Sequence, residues 1–159
     1  MLIRKERGAI NIITKLIGDN SISISSGDNE FESIGISSNY YIKNIQHNLS
    51  INQKSSEGYI EGMDYKISRY YYQAATNIFN INSRFNAGHT KKEFGAYSFY
   101  TPKYPNQFEI TNTTFVSLQL KKEGKIQLEN KMYWRKHNDE FILFRENPSW
   151  YHNFHETNA

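Results

Sequence analysis

The chain has 159 residues, 38% of them hydrophobic and 15% aromatic, which suits a single folded domain spanning 1–159 and argues against disorder. With no cysteine, it can form no disulfide, thiol nucleophile or cysteine-ligated zinc site. A net charge of +3 with 22% charged residues singles out neither nucleic acid nor a membrane surface as partner.

At the N-terminus, Arg4, Lys5 and Arg7 precede an apolar stretch that ends at Ile17. Asn11 and Lys15 interrupt it and no small-residue cleavage site follows, so residues 9–17 read as an amphipathic helix closed by Gly18. No run reaches the roughly 18 apolar residues of a membrane-spanning helix. The expectation is a protein without a membrane span, cytoplasmic or exported without a cleaved signal peptide. Ser21–Ser25 alternates apolar and polar residues, Phe31–Ile36 does so more loosely, and Tyr40–Ile45 is a third short strand. The polar stretch 52–58 reads as a loop ending on Gly58.

Residues 64–83 carry Ile67, Tyr71, Ala74, Ile78 and Ile81 at spacings of 4, 3, 4 and 3, which draws one helical stripe. Asp64 can cap that helix, and Gly88 lies just past its end. A strand through Tyr70-Tyr71-Tyr72 competes, because tyrosine favours pleated surfaces. Further on, Val116, Leu118 and Leu120 alternate with polar residues, as do Ile126, Leu128, Met132 and Trp134. A three-residue turn Lys122-Glu123-Gly124, with Gly124 left-handed, would set Leu120 opposite Ile126 and Leu118 opposite Leu128. A second turn at Lys136–Asp139 would set Trp134 opposite Phe141, Met132 opposite Leu143 and Asn130 opposite Arg145. The predicted fold is α+β: one or two helices on a mostly antiparallel sheet, with a three-stranded C-terminal meander over about 113–146.

Sequence chemistry is sparse. No Gly-rich phosphate loop, nucleophile elbow or zinc helix occurs, and the carboxylates are scattered, so no cofactor or metal is implied. His152 and His155 would share one side of a helical turn, but no third ligand accompanies them. The meander's second face, with Phe115, Lys131, Tyr133, Arg135, Ile142 and Phe144, interleaves rings and cations. Such a face first suggests cover by another element of the same chain, then a protein partner, and last single-stranded nucleic acid. The leading expectation is therefore a non-enzymatic binding module with a protein partner, of the kind found among small bacterial immunity or accessory proteins. Its contact residues would be Tyr133, Arg135 and Phe144. An alternative is a metal-free ribonuclease-type toxin acting on RNA, with His89, Lys92 and Tyr97 as the acid–base and phosphate-binding set. A second alternative is a small-ligand pocket floored by Asn130 and Arg145.

Overall fold

The computed structural model describes residues 19–159, and there the chain is all-β. Its strands are β1 (Ser21–Gly27), β2 (Phe31–Ile42), β3 (Ile45–Ser56), β4 (Tyr65–Ile78), β5 (Ile81–Gly95), β6 (Phe108–Lys122), β7 (Leu128–Ile142) and β8 (His152–Asn158). Each pairs antiparallel with the next, giving one eight-stranded sheet in sequence order. The expected α+β class is thus wrong, and no helix occurs among the described residues. The predicted helix at 9–17 lies outside them.

The helix expected over 64–83 is instead the β4–β5 hairpin, turning at Phe79-Asn80. Both turn residues have positive φ, 52° and 60°, the primed-turn geometry whose twist matches that of paired strands. Phe79 adopts it without being glycine and stands 91% exposed at the tip. The competing strand reading of Tyr70–Tyr72 is the one the fold adopts. Gly88, expected past a helix, sits mid-strand opposite Phe115, whose ring lies where a Cβ would be.

The C-terminal register also differs. β6 and β7 join through residues 123–127, pairing Lys122 with Leu128, Leu120 with Asn130, Leu118 with Met132 and Val116 with Trp134. Gly124 is not left-handed. The longer turn keeps the expected row on one face and matches larger side chains across it. No turn interrupts 136–139: β7 runs straight through, with His137 opposite Thr113 and Asp139 opposite Thr111. Trp134 and Phe141 therefore occupy opposite faces, and Asn130 and Arg145 are separated by most of a long strand.

The hairpin ends are asymmetric. At one end the strands join through residues 43–44, 79–80 and 123–127; at the other through 28–30, 57–64, 96–107 and 143–151. The long loops pack together. Arg145 makes a two-pronged ion pair with Asp64, one bond measuring 2.7 Å, and stacks 4.3 Å from the Phe108 ring. Fully buried Gln107 donates to the carbonyls of Thr101 (3.0 Å) and Tyr104 (2.7 Å) and accepts from the Tyr100 amide (3.0 Å). Tyr104, Phe144 and Trp150 form a cluster of tilted and edge-on rings in the same loops. Gly95 closes this end: its amide bonds the Asp64 carbonyl, and a Cβ there would fall 2.1 Å from the Gly62 carbonyl oxygen.

Candidate functional site

Strand pairing fixes which residues share a face. One face carries a row running Ile22, Ile36, Ile51, Tyr70, His89 and Thr114 across β1–β6. Towards the short turns follow Leu49, Tyr72, Ala87, Val116 and Trp134, and then Tyr40, His47, Ala74, Phe85, Leu118 and Met132. This apolar face continues over seven strands. The opposite, polar face runs Asn39, Asn48, Gln73, Asn86, Ser117 and Tyr133 across β2–β7, flanked by Ser21, Ser37 and Ser50.

Burial is the reverse of what a water-soluble sheet requires. Along β2 the polar-face residues Ser33, Gly35, Ser37 and Asn39 are half-buried, while Ile34, Ile36 and Tyr40 between them are exposed. β3 repeats this: Gln46, Asn48, Ser50 and Asn52 are half-buried, and Ile45, Leu49 and Ile51 are exposed. Exposure reaches 77% at Ile24 and is 44% at Trp134, whereas Gln73 at the centre of the polar face is 1% exposed. A sheet normally hides its apolar face against a second layer. Here no second layer exists among the described residues. Along β2 and β3 and at Gln73 the more enclosed face is the polar one, whereas β6 is half-buried on both faces and residues 128–135 of β7 are exposed on both.

Hydrogen bonding pairs the amides at the centre of the polar face. Gln73 donates to the Asn86 side-chain oxygen (2.8 Å), which also accepts from the Tyr71 hydroxyl (3.0 Å). The Asn86 amide donates to Ser117 (3.0 Å), and Asn48 donates to Asn39 (2.7 Å). These side chains cross from strand to strand with little slack, so the ladder stiffens the sheet as well as wetting it.

Charge divides along the same line. On the polar face, Lys54, Arg69, Arg84, Lys92, Lys121, Lys131 and Arg135 outnumber Glu109, Glu129 and Asp139. Arg84 and Lys121 line a cleft of about 460 Å³ near the short turns, with Gln46, Asn77, Asn82 and Gln119. On the apolar face the charges sit mainly towards the long loops and are mostly paired: Lys91 with Glu93, Lys136 with Glu156, and His152 with Glu140, each at 2.9 Å.

The sequence-derived candidates scatter over this frame. Tyr133 and Arg135 lie on the polar face of β7, but Phe144 belongs to the loop cluster. Ile142 is buried on the apolar side of the sheet. Asn130 is at the short-turn end and Arg145 at the loop end, held by Asp64, which draws that carboxyl below its ordinary value of 3.8. His89 points to the apolar face and bonds Thr114 (2.8 Å), Lys92 points to the polar face, and Tyr97 is in the 96–107 loop. The three do not converge. His152 and His155 lie on opposite faces, because a spacing of three in a strand reverses side. Sequence reasoning missed the Gln73–Asn86–Ser117 ladder. Its signal was present in the isolated amides of alternating segments, which a helical reading of 64–83 obscured.

No family model matches the chain, and no curated protein or solved structure matches it either.

Proposed function

We propose that residues 21–158 form an arc of the wall of a transmembrane β-barrel, with the apolar face against lipid and the polar face around an aqueous passage. The observation that carries this reading is the inverted burial of β2 and β3 and of Gln73 in β4, apolar outward and polar inward. In water that arrangement leaves the hydrophobic effect unused. In a bilayer it is the required one, with strands alternating apolar-out and polar-in.

Three further features support it. The strands β2–β7 have 12–15 residues, more than the 9–11 or so that a tilted strand needs to cross the hydrocarbon. Short turns at one end and longer loops at the other match the asymmetry of such barrels. Exposed rings gather at both ends, with Tyr40, Tyr41 and Phe79 at one and Tyr59, Trp150 and Tyr151 at the other, where amphipathic rings favour the lipid–water boundary. Among the described residues no helix is long and apolar enough to cross a membrane, and barrels cross with strands instead. The role that follows is to separate lipid from a hydrophilic, cation-lined interior through which polar solutes pass.

The test uses Trp134 as a depth gauge. Trp150→Phe leaves Trp134 as the sole tryptophan. In vesicles whose lipids are brominated along the acyl chains, its fluorescence should be strongly quenched while aqueous iodide has little effect. Quenching by iodide and indifference to brominated lipid would defeat the reading. Shielding of Trp134 by a co-purifying protein in the absence of lipid would do so too, and would favour a protein-binding role.

A further inference from the structure

At the loop end, Met63, Phe94, Tyr97, Phe99, Tyr100 and Glu109 enclose a cleft of about 400 Å³. We propose that this cleft binds a small organic ammonium ion, its methyl groups against the aromatic rings and its charge against the Glu109 carboxylate. The inference is independent of the membrane reading, since the cleft is built by the loops and the adjoining ends of β5 and β6.

The chemistry of the walls selects the ligand. They are predominantly apolar, and Glu109 is their one carboxylate. No cation lies within ion-pair distance of Glu109 among the described residues. The charged groups that act on it are Asp139 from β7, which opposes its ionisation, and Lys92 from β5, which favours it; burial opposes it most. The carboxylate is thus partly buried without a bound counter-charge. A hydrated metal ion or an inorganic anion finds no suitable donors here. An ammonium carrying methyl groups supplies the charge and also presents apolar surface to the rings, whose faces attract cations.

The Tyr100 wall of the cleft is anchored. Tyr100 is wedged edge-on between Phe99 (centroids 4.8 Å apart) and Phe141 (4.6 Å). Its backbone amide is tied to buried Gln107, and a turn bond from the Phe99 amide to the Ala96 carbonyl (3.0 Å) fixes the loop start. Rings already held in place lose little freedom on binding, which favours affinity in a shallow site.

Calorimetric titration of the full chain tests this, in whichever medium preserves its β-sheet circular dichroism. The probes are choline and its uncharged carbon analogue 3,3-dimethylbutanol. Choline should bind saturably, and the analogue at least tenfold more weakly. Glu109→Gln should weaken choline at least tenfold and leave the analogue unchanged, while Tyr100→Leu should weaken both. Glu123→Gln, in the turn at the other end of the sheet, should change neither and should match Glu109→Gln in circular dichroism. Absence of saturable choline binding, equal binding of the two probes, or indifference of choline to Glu109→Gln would overturn the proposal.

Discussion

The two ends of this molecule are held together in different ways. At the loop end, side chains from three connections bury one another: Gln107 is fully enclosed, Ala96 and Ile142 are buried, and Arg145 ties the 143–151 loop to Asp64. That end has a small enclosed core, although several of its rings stay exposed. The body of the sheet is one layer thick, and its Ile, Leu and Tyr side chains on one face have no protein neighbours above them among the described residues. Backbone ladders and the amide network of Gln73, Asn86 and Ser117 hold it, and it lacks the favourable term that burying its apolar face would add. On the membrane reading proposed above, the contrast means that the sheet body meets a different solvent from the loops.

The largest way to break that comparison is a charge on the apolar face. Leu118, flanked by Phe85 and Met132, should tolerate lysine badly in a bilayer: Leu118→Lys is expected to lower unfolding stability by about 2–4 kcal/mol in vesicles. Gln119→Lys, one residue away on the polar face and within reach of Glu129, should cost far less. Urea unfolding in lipid measures both. Equal effects would mean that the two faces meet the same medium.

A smaller effect sharpens the other side of the comparison. The hydrogen bonds from the Arg145 guanidinium hold the Asp64 carboxyl below the ordinary 3.8, against burial, which acts the other way. A depressed carboxylate stabilises the fold above its unfolded pKa and loses that contribution as pH falls through the folded value. Both side chains are partly exposed, so the pair is worth only about 0.5–1 kcal/mol. Asp64→Asn should therefore destabilise by that amount near neutral pH, and the deficit should shrink and vanish as pH falls below about 4. A deficit independent of pH would assign Asp64 a packing role alone.

Part of this was legible in the sequence. The alternation in Ser21–Ser25 and Phe31–Ile36 marked β1 and β2, and Val116, Leu118, Leu120, Met132 and Trp134 were correctly placed on one face. The middle was misread because its turns carry weak signals. Phe79-Asn80 and Lys43-Asn44 contain neither glycine nor proline, so nothing in the composition divides β4 from β5 or β2 from β3. Ile67 and Tyr71, which seemed to continue a helical stripe into Ala74 and Ile78, sit on the other face of the sheet from them. The polar run at 136–139 looked like a turn. It is the stretch of β7 beyond the apolar band, where the same face changes to Lys91, Asn112 and Asn138. Alternation reveals two faces, but which of them meets water depends on the surroundings. That is why an expected core row of a soluble domain is the exposed side of this sheet. The cleft around Glu109 was not legible, because loop packing brings Met63 and Tyr97 together from distant parts of the chain.

Because the chain has no native cysteine, single cysteines can be placed anywhere without background. The most direct test of the two-solvent account scans 114–120 of β6 one residue at a time in vesicles, reading each cysteine with a water-soluble maleimide and with a fluorophore reporting an apolar medium. We expect strict alternation. Cysteines at Phe115, Ser117 and Gln119 should label readily with the aqueous reagent, and those at Thr114, Val116, Leu118 and Leu120 should resist it and report lipid. Uniform aqueous labelling of both sets, or lipid contact at Ser117, would contradict the account.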